Sequence, residues 1–172
     1  MTKRYGDANH FLSIYSMDCA ADFVANPERC ITGSAPTLGQ LKRYYGENMA
    51  RTWLELQIIR LSELCGAKGK ISNAQTAFCA DVILSQYGYL KVTDLLLYFS
   101  NLIAGKYGYF YGTIDPQRMM AWTNQYLRER NKIYEQYESR IRAAEQAREE
   151  QERKGKTVTY DEYLQMKAEG KL

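Results

Sequence analysis

One histidine, four cysteines and a crowd of tyrosines are the side chains with which this chain could do chemistry, and their spacing decides what kind. His10 is the only histidine in 172 residues, and no serine or cysteine stands with it in a nucleophile–base arrangement. Cys19, Cys30, Cys65 and Cys79 lie 11, 35 and 14 positions apart. None of them forms the close CxxC unit of a zinc or redox site, so they read as free thiols, mostly packed. The GxxxxGKS, HExxH and GxSxG patterns are absent. The reading is a protein that is not an enzyme, with no catalytic residue, cofactor or metal to assign.

What remains is recognition chemistry, concentrated in "AGKYGYFYGTIDPQRMMAWTNQYLRER", residues 104–130. Here Tyr107, Tyr109, Phe110 and Tyr111 alternate with Lys106 and the glycines at 105, 108 and 112. Exposed rings beside cations could stack on bases or on a partner peptide. The same composition also suits a plain joint between helices, with glycines at positive φ and tyrosine rings buried. The joint is the favoured reading of the two. The candidate partner or nucleic-acid surface comprises Lys106, Tyr107, Tyr109, Tyr111, Arg118, Arg128, Arg130, Tyr134 and Tyr137.

Helices must position these groups. "TLGQ" at Thr37 and "SNAQ" at Ser72 have the spacing of capping boxes, and "DP" at Asp115–Pro116 is a carboxylate cap followed by the residue whose φ suits the first helical turn. A short helix from Thr37 reaches about Tyr45, and Gly46 breaks it. The next, ending at Gly66, repeats Met49, Trp53, Leu56 or Leu54, Ile58, Leu61 and Cys65 at threes and fours. A helix over 73–87 carries Phe78, Val82 and Ile83 as its apolar face, and one over 94–104 has Thr93 as cap. That last segment, "DLLLYFSNLIA", is apolar nearly all round, which predicts the most buried helix and argues against a DNA-reading one.

From Pro116 nothing breaks the helix until about Arg153. Met120, Leu127, Tyr134 and Ile141 recur seven apart, with Tyr137 and Ala144 on a neighbouring stripe that Thr123 and Arg130 spoil. "TYDE" at Thr159 is a last box before a short helix. Residues 8–25 could form a helix with Phe11, Ile14, Tyr15, Cys19 and Phe23 on one side, while "NPERCITGSAP" reads as a loop. The expected fold is all-α, a compact bundle of about five helices with one long C-terminal helix projecting from the core. Its expected divisions are a weakly structured segment over 1–36, a helical core over 37–144, and a charged extension with a short helix over 145–172.

Composition agrees. Only three prolines interrupt a chain rich in helix formers. No apolar run approaches the roughly 20 residues of a membrane span, and the start lacks the apolar core of a signal peptide, so a cytoplasmic protein with no membrane is expected. The formal charge of +3 is spread evenly: residues 1–107 hold eleven Lys/Arg against nine Asp/Glu, and the remainder twelve against eleven. Lys42, Arg43, Arg51, Lys68 and Lys70 form a local basic surplus that a fold could gather on one face.

Gly105, Tyr107, Gly108, Tyr111, Gly112, Asp115, Trp122, Tyr126, Glu129 and Arg130 form a GKYGxFYGxIDP…WxxxYxxER pattern. In it, residues 37–132 resemble a family of small helical proteins from Bacteroides-like bacteria and their phages and mobile elements. The resemblance implies no activity. The layout is similar in style to phage helicase loaders, which grip a larger replication protein. The expected function is therefore a non-enzymatic interaction protein, an accessory of phage or mobile-element DNA replication, with a larger protein as partner and self-association through the long helix open. The rival is a nucleic-acid-binding module that uses the basic and tyrosine-rich surfaces. Glu129 and Arg130 are expected to ion-pair with the joint.

Overall fold

A computed structural model describes residues 5–66, 69–156 and 160–170. Among these the chain is all-α, with no strand. The helices are α1 (Ala8–Ile14), α2 (Ala20–Ala25), α3 (Pro27–Thr32), α4 (Leu38–Tyr45), α5 (Glu47–Leu64), α6 (Asn73–Gln86), α7 (Val92–Ile103), α8 (Pro116–Lys156) and α9 (Tyr160–Ala168). Two compact units divide after Tyr134, within α8.

The punctuation residues act as their chemistry requires. Thr37 and Ser72 each form a complete capping box, with Gln40 and Gln75 returning the bond to the cap nitrogen. Asp115 caps α8 through its carboxylate, which accepts from Gln117 N at 2.8 Å. The proposed start of α9 at Thr159 lies outside the described residues.

The first unit is built on α5 and α7. Helix α5 buries Ala50, Trp53, Leu54, Ile58 and Leu61, while Leu56 faces out. Helix α7 is buried from Val92 to Ser100 without a break, as its sequence predicts. An isolated antiparallel bridge joins Thr37 to Lys91, supported by Leu38 N donating to Leu90 O and Val92 N to Pro36 O. The first turns of α4 and α7 therefore lie side by side.

Several expectations are corrected. Phe78 is 62% exposed, because α6 turns Thr76, Cys79, Ala80 and Ile83 toward the core instead. Those positions are spaced i, i+3, i+4 and i+7, and the small Cys79 and Ala80 let α6 approach α5 closely, leaving the ring one residue earlier about 100° off that face. Thr93 is not a cap: α7 begins at Val92 after Lys91, and the Thr93 hydroxyl donates to Cys30 O at 2.7 Å.

The described part of the N-terminal segment, from Tyr5 on, packs on the core. Tyr5, Phe11, Met17, Cys30 and Ile31 join the core, and the stretch read as a loop contains α3, which opens on Pro27. One line of side chains on α5, at i, i+4 and i+7, holds this segment: Trp53 Nε1 donates to Tyr15 O at 2.7 Å, Gln57 Oε1 accepts from Met17 N at 2.9 Å, and Arg60 pairs with Asp18 at 2.8 Å. These hooks explain why 8–25 is not one helix. The chain bends after Ile14 to present Tyr15 O and Met17 N to α5, and a 3₁₀ turn at Met17–Cys19 intervenes.

The buried stripe of α8 is Met119, Thr123 and Tyr126, with Arg130 next in the series. Met120 and Leu127, expected to pack on the core with Met119, Trp122 and Tyr126, do so as half-buried neighbours of that stripe. Thr123 and Arg130 face inward because polar groups of α7 await them there, as described below.

In the second unit, residues 139–154 of α8 are exposed throughout. Its charges pair along the helix itself: Arg142 with Glu138 at 3.1 Å, Arg148 with Glu152 at 3.7 Å and Lys154 with Glu150 at 2.7 Å. No described helix is long and apolar enough to cross a membrane.

Candidate functional site

Helix α7 ends in a two-bond reversal: Lys106 N donates to Asn101 O and Gly105 N to Leu102 O, each at 3.0 Å, with Gly105 at φ +71°. The chain then runs through Gly108 and Gly112 to the Asp115 cap. A Cβ on Gly108 would stand 2.8 Å from the Trp122 ring, and its φ is +136°. That close approach lets Phe110 pack edge-on against Trp122, with ring centroids 5.0 Å apart.

Gly108→Ala should therefore cost about 2 kcal/mol, from a disfavoured backbone and a displaced indole. Denaturant unfolding measures it, and a loss below about 0.5 kcal/mol would contradict this geometry.

The joint divides its own rings. Tyr107 is half-buried against Tyr98, at 6.1 Å between centroids, and donates to Glu129 Oε2 at 3.2 Å. Burial and the neighbouring Glu129 carboxylate push its hydroxyl well above the usual tyrosine range. Lys106 closes on the same carboxylate at 2.6 Å. Glu129 thus ties α8 to the joint as expected. By contrast Tyr109 is 68% exposed and Tyr111 82% exposed. The joint is structural on one side and open on the other.

Arg130 does not pair with the joint. Its Nε donates to Asp94 Oδ2 at 2.7 Å, in the first turn of α7, where the carboxylate is fully buried. The Tyr126 hydroxyl bonds the same carboxylate, at Oδ1, and lies 2.9 Å from the Asp94 carbonyl. Rings of Tyr89 and Tyr134 flank the guanidinium at 5.8 and 5.7 Å. Burial raises the Asp94 carboxyl above its ordinary value, against the opposing pull of Arg130 and Tyr126. One turn away, the Tyr98 hydroxyl bonds Met119 O, with Thr123 Oγ1 at 3.1 Å. Arg130 and Tyr107 are consequently internal ties, while Tyr134 lies against Arg130 and stays 39% exposed.

Arg118 and Arg128 are exposed. Arg128 Nε donates to Asn124 O of its own helix, at 3.3 Å. Arg118 lies over the Tyr111 ring at 5.8 Å, approaches Tyr109 O at 3.4 Å and sits 3.7 Å from Asp115. Tyr137 is half-buried, and Ile141, four residues on, is 43% exposed. The basic residues of α4 and α5 are largely neutralised: Lys42 by Glu47 at 2.8 Å, Arg51 by Asp81 at 2.7 Å and Glu55 at 3.3 Å. Lys68 lies outside the described residues. Lys70 is different. Gly69 N donates to Gly112 O at 3.0 Å, which brings Gly69 against the joint, and Lys70, next in the chain, is exposed. A sequence separation of more than forty residues hid that neighbourhood.

A hollow of about 510 Å³ lies between the N-terminal helices and the start of α7, lined by Tyr15, Asp22, Phe23, Arg29, Cys30 and Thr93 among others. Two of its nucleophilic groups are engaged with backbone carbonyls: Cys30 Sγ with Phe23 O at 3.3 Å, and Thr93 with Cys30 O. Burial pushes the Cys30 thiol up to about 11, so it stays protonated and unreactive at neutral pH. Among the described residues no three His, Cys, Asp or Glu side chains are grouped to hold a metal ion.

A model for a Family of unknown function (DUF6633) matches residues 70–171, and the chain belongs to that family. The match includes the joint, α8 and α9. No curated protein and no solved structure matches the chain.

Proposed function

We propose that this member of the family is a non-enzymatic interaction protein that grips a larger protein partner through the C-terminal part of α8. The observation that carries the reading is a stripe at i, i+4 and i+7: Tyr137, Ile141 and Ala144, half-buried at its first member and exposed at the other two. The charges around it are satisfied within the helix, as in Glu138–Arg142. An apolar stripe on a helix whose polar groups are already paired is suited to a partner's groove or to a second helix. The resemblance of residues 37–132 to proteins of phages and mobile elements makes a replication protein such as a helicase the proposed partner, in the cytoplasm, with the present chain as its accessory.

Ile141→Glu places a charge in the stripe without touching the core of the first unit. Recovery of the partner from a lysate should fall at least about tenfold relative to the unaltered chain. It should be unchanged by nuclease and only weakly sensitive to salt, because an apolar contact is not screened. Equal recovery by both forms, or recovery abolished by nuclease, would overturn the reading.

A further inference from the structure

The exposed side of the joint is a second surface, independent of the stripe on α8. Tyr109 and Tyr111 are the two most exposed of its aromatic rings, and both are held on a short segment anchored at each end. The Tyr109 ring lies where a Cβ on Gly105 would stand, 2.6 Å from the nearest ring carbon, so the turn itself supports it. The Tyr111 ring is backed by the Arg118 guanidinium. Gly112, next in the chain, is fixed by the bond from Gly69. Rings presented in this way have given up little freedom left to lose on binding.

The charges beside them are positive but few. Arg118 lies over the Tyr111 ring, the exposed Lys70 follows the Gly69 that bonds Gly112, and Asp115, 3.7 Å from Arg118, is the acid nearby. One Asp115 oxygen is spent on the α8 cap at Gln117 N, so this helix end is already occupied and offers no anion site. A shallow hollow of about 260 Å³ lies between Tyr111, Arg118, Thr113 and Gln75. Flat π-faces with one or two adjacent cations suit a ligand that alternates planar rings and single negative charges.

We infer that Tyr109 and Tyr111, with Arg118 and Lys70, form a stacking platform for single-stranded nucleic acid. Bases stack on the two rings, and one or two phosphates meet the cations. Stacking carries most of the affinity, because the cations are too few to hold a duplex by counterion release alone.

Fluorescence anisotropy of the full chain with labelled oligothymidylate and oligouridylate of about twelve nucleotides tests this. Binding is expected to one or both single strands, and about tenfold weaker to a duplex of equal length. Tyr111→Ala should weaken it about tenfold and Tyr111→Phe should not, since stacking needs the ring and not the hydroxyl. The melting temperature of Tyr111→Ala should equal that of the unaltered chain. The logarithmic salt slope should be small, on the order of one, as two phosphate contacts require. Absence of binding, equal binding by Tyr111→Ala, loss with Tyr111→Phe, or duplex binding as tight as single-strand binding would each overturn the inference. Ile141→Glu should leave oligonucleotide binding unchanged, so failure here and failure of the α8 reading are told apart.

Discussion

Replacing Arg130 with alanine is expected to destabilise the first unit by about 3–4 kcal/mol at pH 7, close to the cost of breaking a buried ion pair from one side. The Asp94 carboxylate would remain fully buried, with the Tyr126 hydroxyl bonded to it and Lys91 as the remaining nearby cation. It can escape by taking up a proton, at about 1.4 kcal/mol for each pH unit above its ordinary value of 3.8. That limit is roughly 4 kcal/mol at pH 7 and falls to under about 2 at pH 5.

The penalty of Arg130→Ala should therefore shrink as the solution is acidified. In the unaltered chain the Asp94 carboxyl is already raised by burial, so its contribution to stability is fully present below 3.8 and is lost as pH rises through its folded value. Without Arg130 that folded value rises further and the loss at neutral pH deepens. Urea unfolding at pH 5 and pH 7 measures the difference. An equal penalty at both would mean that Asp94 and Arg130 are not energetically paired.

Trp53→Ala should cost about 3–5 kcal/mol, the range for removing a large aromatic from a packed core. Trp53 is fully buried, and its indole N–H is the first of the three hooks that α5 extends to the N-terminal segment. The loss therefore has two parts. Trp53→Phe separates them, since it keeps most of the ring but leaves Tyr15 O without its donor. It should recover more than half of the stability, with about 1–2 kcal/mol still missing for the lost bond. Should Trp53→Phe be as unstable as Trp53→Ala, the hydrogen bond rather than ring volume would dominate.

Local rules were legible where a residue's role depends on near neighbours. The Thr37 and Ser72 boxes, the Asp115–Pro116 start, the stops at Gly66 and Gly105 and the uniformly apolar α7 follow from interactions within four residues along the chain. What failed depended on distant partners. Thr123 and Arg130 look like faults in an apolar stripe until Tyr98 and Asp94 are known to face them. Asp94 resembles an ordinary first-turn acid favoured by the helix dipole, because nothing in its neighbourhood shows that it is buried. Phe78 was misplaced because size and apolarity indicated the core, whereas the helix packs on its small residues.

The candidate surface was legible only in outline. Of its nine residues, Lys106, Tyr107, Arg130 and Tyr134 are engaged in internal contacts, while Tyr109, Tyr111 and Arg118 share one exposed place. Tyrosine gives no warning of which role it will take, since its ring suits a core and its hydroxyl suits a surface. Gly69, and with it the start of Lys70, meets the joint through the backbone bond to Gly112.

The three hooks on α5 also bear on the order in which the chain can fold. The partners of Tyr15, Met17 and Asp18 lie 38 to 42 residues downstream, and those of Cys30 and Gly33 lie 63 and 58 residues downstream, on α7 and its cap. During synthesis the N-terminal segment leaves the ribosome before any of these exists. Its docking needs α5 for the three hooks and α7 for the bonds at Cys30 and Gly33, contacts of higher sequence separation than those among α4, α5 and α6. Phe11 and Met17, fully buried in the finished fold, are therefore covered only by elements made after them.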